Sequence, residues 1–272
     1  MSIIFIIILL QGLKVKGINS LESKKIAELS KKITKDAGTY ILKNVNKVNV
    51  KNYKTNSDGQ KEVVTQIDLD IHNNIQKEIK NLFPSHNILS EEDIDSFSYD
   101  FKNPLWIIDP LDGTSNFLRG IPISCVSIAL MQDMKPMLGV IYDFNHDEIY
   151  WGHKESKAYI DDKEICVSSI SKKCESTLVT GIPAKTNYSD SEFSEMISNF
   201  QAWKKIRMIG SAAMAACYVA SGKAETYKED GIFLWDIAAG AAIVNAAGGL
   251  ASITNIQTDY RVNAKFTNNI IE

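Results

Sequence analysis

The sequence predicts an α/β layered sandwich: an α+β N-terminal lobe built on an antiparallel sheet, joined tightly to an α/β C-terminal lobe. Three observations carry that expectation. Helical periodicity dominates the first part, short strands between turn clusters fill the middle, and strand and helix patterns alternate at the end. The expected division is an apolar arm over 1–20, a first lobe over 21–155 and a second over 156–272.

The elements follow in order. Ser2 to Leu10 reads SIIFIIILL, too short an apolar run to span a bilayer and without a basic segment before it. A buried or extended arm is favoured there over a cleaved leader, a membrane tether or a misassigned start. From Leu21, apolar Ile26, Leu29, Ile33, Ala37 and Ile41 recur at helical spacing, with Lys24, Lys25, Lys31, Lys32 and Lys35 on a solvated face. Val50 to Gln60 is polar with an Asp58-Gly59 turn, which predicts a hairpin. A second helix runs from about Ile67 to Phe83 and stops before Pro84. LWIID is a short buried strand, and SCVSIALM, MLGVIYDF, EIYWGH and KAYI form an antiparallel meander. Further helices are expected near Ser211 (SAAMAACYVASG) and near Asp236 (DIAAGAAIVNAAGG).

Composition bounds the function. The 272 residues, 44% hydrophobic and 23% charged, describe an ordinary globular chain with a large core. A net charge of −3 gives no sign of nucleic-acid binding, and no stable membrane association is expected. Cys125, Cys166, Cys174 and Cys217 form no C-x-x-C pair, so zinc and a disulfide framework are disfavoured. Reduced thiols point to a cytoplasmic protein.

The chemistry concentrates in Trp106 to Gly120, WIIDPLDGTSNFLRG. Asp109 and Asp112 stand at a strand end, where a sheet holds reactive groups beside an open loop. Pro110 stiffens the turn and Gly113 permits close backbone approach. Read alone, the stretch is equally an Asp-Gly turn. Glu91, in LSEED, also follows a short strand (Asn87-Ile88-Leu89), and would converge on the aspartates if the two strands are neighbours. Asp236 opens a helix, where an N-cap role is the plain alternative, and Thr65 with Asp68 has capping-box spacing. Four clustered carboxylates would raise one another's pKa values unless a cation compensates them. An all-oxygen set without His or Cys selects Mg²⁺ or Mn²⁺.

At these residues the chain resembles the inositol monophosphatase family of magnesium-dependent, typically lithium-sensitive phosphatases, over nearly its whole length after residue 20. SEED, WIIDPLDGTSNF, TGIP (Thr180–Pro183), RMIGSAA (Arg207–Ala213) and LWDIAAG followed by AAGG occur in the family's order. The resemblance implies an inositol monophosphatase-like fold and two or three Mg²⁺ ions. One ion would be held by Glu91, Asp109 and the Leu111 carbonyl, a second by Asp109, Asp112 and Asp236. It implies that Thr114 and Asp68 orient the attacking water, with Glu91 assisting, and that the Gly113 and Thr114 amides receive phosphate. Gly210, Ser211, Ala212 and Glu229 match positions that contact sugar or inositol hydroxyls. A homodimer acting on a small phosphorylated polyol follows from the same resemblance.

Substrate choice stays open among inositol monophosphate, 3′(2′),5′-bisphosphate nucleotides, fructose 1,6-bisphosphate and histidinol phosphate. Ser115-Asn116-Phe117 argues against the nucleotidase type, and Glu229 favours a neutral polyol, although Lys228 beside it weakens that argument. A regulatory role in binding the transcription machinery, as in some SuhB-type relatives, is the alternative of another class.

Overall fold

A computed structural model describes residues 20–45, 50–55, 61–96, 102–182 and 188–271. The apolar arm expected over 1–20, apart from Ser20, lies outside them, as does the Asp58-Gly59 turn.

Five layers are stacked. Helices α1 (Ser20–Asn44) and α2 (Gln66–Leu82) cover one face of a seven-stranded sheet. That sheet has the order β3 (Asn87–Ser90), β4 (Leu105–Asp112), β5 (Cys125–Gln132), β6 (Lys135–Asp143), β7 (Glu148–His153), β8 (Ala158–Ile160) and β9 (Lys163–Ile165). All its pairings are antiparallel except β3 with β4. A short hairpin, β1 (Val50–Thr55) with β2 (Lys61–Thr65), joins α1 to α2. The sheet continues past residue 155 to Ile165, because β8 and β9 extend the same meander.

The C-terminal sheet has five strands in the order β11 (Lys205–Met208), β10 (Thr177–Thr180), β12 (Thr226–Phe233), β14 (Arg261–Thr267) and β13 (Leu250–Thr254). Between the sheets lie α5 (Ala212–Ala220) and α6 (Leu234–Ala246); α4 (Asp190–Phe200) borders the outer face, and a one-turn α3 (Thr114–Leu118) follows β4.

The sequence explains the layering. Ile26, Ile33 and Ile41 of α1 and Ile67, Ile71, Ile75 and Ile79 of α2 form one stripe each and bury it on Trp106, Ile108 and Val140. Alternation along β4 sends Ile107 the other way, into the core shared with α5 and α6. Those two helices are buried almost all round and rich in alanine, so they pack without bulk. A Cβ on Gly139 of β6 would strike the backbone of Ala239, and one on Gly240 would strike Ala216. Such contacts let backbones approach to distances that any side chain would forbid.

Candidate active site

Strand register builds the first half of the site. Ser90 pairs with Ile108 in parallel β3 and β4, which sets Glu91 beside Asp109. The convergence expected from the two short strands is therefore present. After Asp109 the pairing of β4 with β5 slips, and Asp112 lies opposite Cys125. Gly113 then takes a left-handed φ of 81°, and a Cβ there would meet the Ile123 carbonyl at 2.7 Å. The chain turns at once into α3.

Each carboxylate has its own anchor. Asp109 is 1% exposed and its Oδ1 accepts from the Leu111 amide at 3.0 Å. Asp112 Oδ2 accepts from the Ala213 amide at 2.9 Å, from the Ser211 hydroxyl, and at 3.8 Å from the Cys125 thiol. Ser211 also caps α5 by accepting from the Met214 amide. Asp236 is the third residue of α6 rather than its N-cap. Phe233 occupies the cap position, and Asp236 reaches back to accept its amide at 3.3 Å, as a carboxylate in a helix's first turn can. Asp68 holds the equivalent first-turn place in α2 and is buried, while the side chain of Thr65 lies outside the described ones.

Electrostatics ties these residues into one unit. Burial pushes the Asp109 carboxyl well above its ordinary range, and the charges of Glu91, Asp112 and Asp236 push it further. Asp236 is raised in the same way, by burial and then by Asp112, Glu91 and Glu229. Asp112 rises to about 6 through burial, held back by the hydrogen bonds from Ser211, Ala213 and Cys125. Among the described residues no three His, Cys, Asp or Glu side chains form a ready-made ion-holding group. The donor set itself is all oxygen, with Asp109 and Asp112 buried, and its members repel one another. Those properties suit hard divalent cations such as Mg²⁺ rather than zinc.

The second half of the site is a cleft of about 760 Å³ whose wall includes Asp112, Asn116, Gly210, Ser211, Ala212, Glu229 and Asp236. Glu229 projects from β12, accepts from the Tyr227 hydroxyl at 3.1 Å, and is raised to about 7 chiefly by burial. Its carboxylate lies where a Cβ on Gly181 would stand. Lys228, its neighbour in sequence, pairs with Asp230 at 3.5 Å. Thr114 Oγ1 donates to the Leu111 carbonyl at 2.9 Å, leaving that oxygen a second lone pair.

Sequence reasoning missed three participants. Asn116 donates to the carbonyls of Ile123 at 2.9 Å and Ile209 at 2.8 Å, so it pins the loop after β4 to the turn before α5. Its place in the DGTSNF run was the available signal. Cys125 and Ser127 stand across from Asp112 and Asp109, and the Ser127 hydroxyl is buried without a partner. Only strand register reveals those two.

A layered α/β sandwich with acidic strand ends on a shared cleft defines a class, the sugar-phosphatase type of fold. The chain belongs to the inositol monophosphatase family, which matches over residues 22–266. It is 38% identical over 199 residues to inositol monophosphatase 1 of Solanum lycopersicum, covering 71% of this chain and 72% of that one. It is 37% identical over 190 residues to the Nus factor SuhB of Pasteurella multocida, covering 69% and 70%. The structure of the inositol monophosphatase from Anabaena (Nostoc) superposes with a TM-score of 0.75 at 30% identity, covering 91% of this chain and 92% of that one. Family membership makes this a phosphatase by kind.

Proposed function

We propose that the chain hydrolyses a phosphate monoester of a small polyol, myo-inositol 1-phosphate or a similar sugar phosphate, to the free alcohol and phosphate. The observation that carries this reading is geometric: strand register sets Glu91 beside Asp109, and Asp112 and Asp236 line one cleft. Glu91, Asp109 and the Leu111 carbonyl would hold one Mg²⁺, and Asp109, Asp112 and Asp236 a second, with Mn²⁺ a substitute and Li⁺ an inhibitor. When bound, the ions lower the pKa of water and neutralise charge on the phosphoryl group and leaving alkoxide.

The chain's own residues do the rest. Thr114 and Asp68 orient the attacking water, with Glu91 assisting. β2 contacts α3 and leads directly into α2, an adjacency that supports pairing Asp68 with Thr114 in this reading. The Gly113 and Thr114 amides receive the phosphate. Gly210, Ser211 and Ala212 line the same cleft as Glu229, and in this reading the Glu229 carboxylate accepts a hydrogen bond from a hydroxyl of the leaving polyol. A second phosphate placed there would meet repulsion that Lys228, engaged with Asp230, does not relieve. The enzyme acts in this reading as a cytoplasmic homodimer.

A phosphate-release panel tests the proposal: inositol 1-phosphate, 3′-phosphoadenosine 5′-phosphate, fructose 1,6-bisphosphate and histidinol phosphate, each with Mg²⁺ and then with added Li⁺. Inositol 1-phosphate should release phosphate fastest, and only with the metal. No metal-dependent release from any of the four would overturn the enzymatic reading. A second reading, a binding role in the transcription machinery, draws support from the name of the Pasteurella relative. Pull-downs with wild type and Asp109→Asn separate the two, because only a partner independent of catalysis is retained by both.

A further inference from the structure

Glu91 and Asp68 enter the proposed reaction from different elements, and side-chain bonds fix one element against the other. Glu91 opens the 3₁₀ turn Glu91–Ser96 directly after β3, and Asp68 lies in the first turn of α2. α2 packs against that turn. His72 Nδ1 and Ser90 Oγ meet at 2.8 Å, a hydrogen bond that either tautomer of the ring can make with a hydroxyl. Gln76 Nε2 donates to Asp93 Oδ2 at 3.4 Å.

Helical spacing aligns these groups. Asp68, His72 and Gln76 recur every four residues, so they form a polar stripe beside the isoleucines that α2 buries on the sheet. Ser90, Glu91 and Asp93 run along the facing segment. The two bonds are unequal. His72 is 7% exposed and Ser90 1%, whereas the bond from Gln76 is long and exposed to competing solvent. Losing the buried bond would orphan a polar partner, so it is the stronger constraint. Ser90 also ends β3 and pairs with Ile108 of β4, which places the bond at the strand end where Glu91 stands beside Asp109. Apolar side chains could fill this place without a desolvation cost, so the polar pair supplies direction rather than burial.

We propose that His72 is a positioning residue for the reaction: through Ser90 it holds Glu91 at a fixed offset from Asp68, so that both carboxylates address the same water. The inference rests on the roles proposed above for those two carboxylates. His72 acts through Ser90 and not on the substrate.

Steady-state kinetics of the whole chain at saturating Mg²⁺, with the Mg²⁺ dependence of its melting temperature, tests this. Ser90→Ala and His72→Leu should each lower kcat about tenfold and leave KM within about twofold, as a misdirected attack on a substrate still held requires. Each should also raise the Mg²⁺ concentration that gives half of the melting-temperature rise, about threefold, because Glu91 is a proposed ligand. The double variant should lose no more than either single, since the pair is one contact. His72→Asn, whose amide takes the place of Nδ1, should recover most of kcat. Ile79→Val, in the buried stripe two turns along α2, controls for stability and should lower the melting temperature with kcat unchanged. Full kcat in both single variants, additive losses in the double, or an equal fall of kcat in Ile79→Val would overturn the proposal. A wild type whose melting temperature ignores Mg²⁺ would overturn the metal reading along with it. A wild type that responds, with both variants responding identically and turning over normally, would overturn the positioning role alone.

Discussion

The two sheets of this protein are built differently. The seven-stranded sheet is covered by helices on both faces, and its strand β4 is buried along its whole length. The five-stranded sheet is tightly packed only on its inner face. Its outer face borders a cavity and α4, a helix with no buried residue and with Phe193 and Ile197 exposed. The difference teaches where each kind of work can be done. Buried, mutually repelling carboxylates need a rigid support, and the ends of β3 and β4 provide it. β12 lines both the reaction cleft, through Glu229, and the outer cavity, where packing is looser.

Breaking the rigid sheet's contribution should produce the largest effect. Asp109→Asn should lower Mg²⁺-dependent phosphatase activity by about three orders of magnitude or more, the several kcal/mol that a lost cation ligand removes. Its melting temperature should hold or rise, because one member of a repelling cluster is neutralised. Normal turnover in that variant would sink the proposed mechanism. Gly139→Ala comes next, with a loss of about 2–3 kcal/mol of stability, because its Cβ meets helix backbone that cannot yield. Denaturant titration should show the loss, while Ile197→Ser on α4 should stay within about 0.5 kcal/mol of wild type. Equal losses in the two would erase the contrast between the sheets.

Ser211 sharpens the comparison, since it joins the halves by capping α5 and holding Asp112. Ser211→Ala should destabilise by about 1–2 kcal/mol and reduce phosphate release, and Ser211→Thr should restore both. Failure of threonine to rescue would show that the hydroxyl bond is not the operative contact.

The effect confined to a pH window concerns His86. Trp106 Nε1 can only donate, so the His86 Nδ1 it meets at 3.0 Å must accept, and the ring is neutral. Burial lowers His86 to about 4 from an ordinary value of 6.5. The unfolded chain therefore takes up a proton first as pH falls. The associated stability is fully present above pH 6.5 and is lost progressively down to about pH 4. For a partly exposed ring that amounts to about 1–2 kcal/mol. Melting curves of His86→Gln over this window should show a shallower slope than wild type.

Much of this molecule was legible in its residues. The isoleucine stripes of α1 and α2 have only one face to bury, and the Asp-Pro-Leu-Asp-Gly-Thr run leaves the backbone few ways to turn. Asp236 illustrates the limit. Its proximity to a helix start was plain, but whether it caps the helix or sits two residues inside depends on where β12 ends. The separation of Lys228 from Glu229 was equally hidden, since adjacent residues reach opposite faces only once a strand and its partners exist.

The sequence by itself determined the chemistry: which residue types are present, the order of the acidic strand ends, and the family they define. Tertiary structure alone decided their company. Cys125 and Ser211 meet Asp112, Asn116 ties two loops, and Lys228 faces Lys265 instead of serving Glu229. The physical reason is that local pattern specifies each element's period and faces, whereas contacts between distant elements depend on register and layer stacking. Those emerge only when every buried face has found its partner.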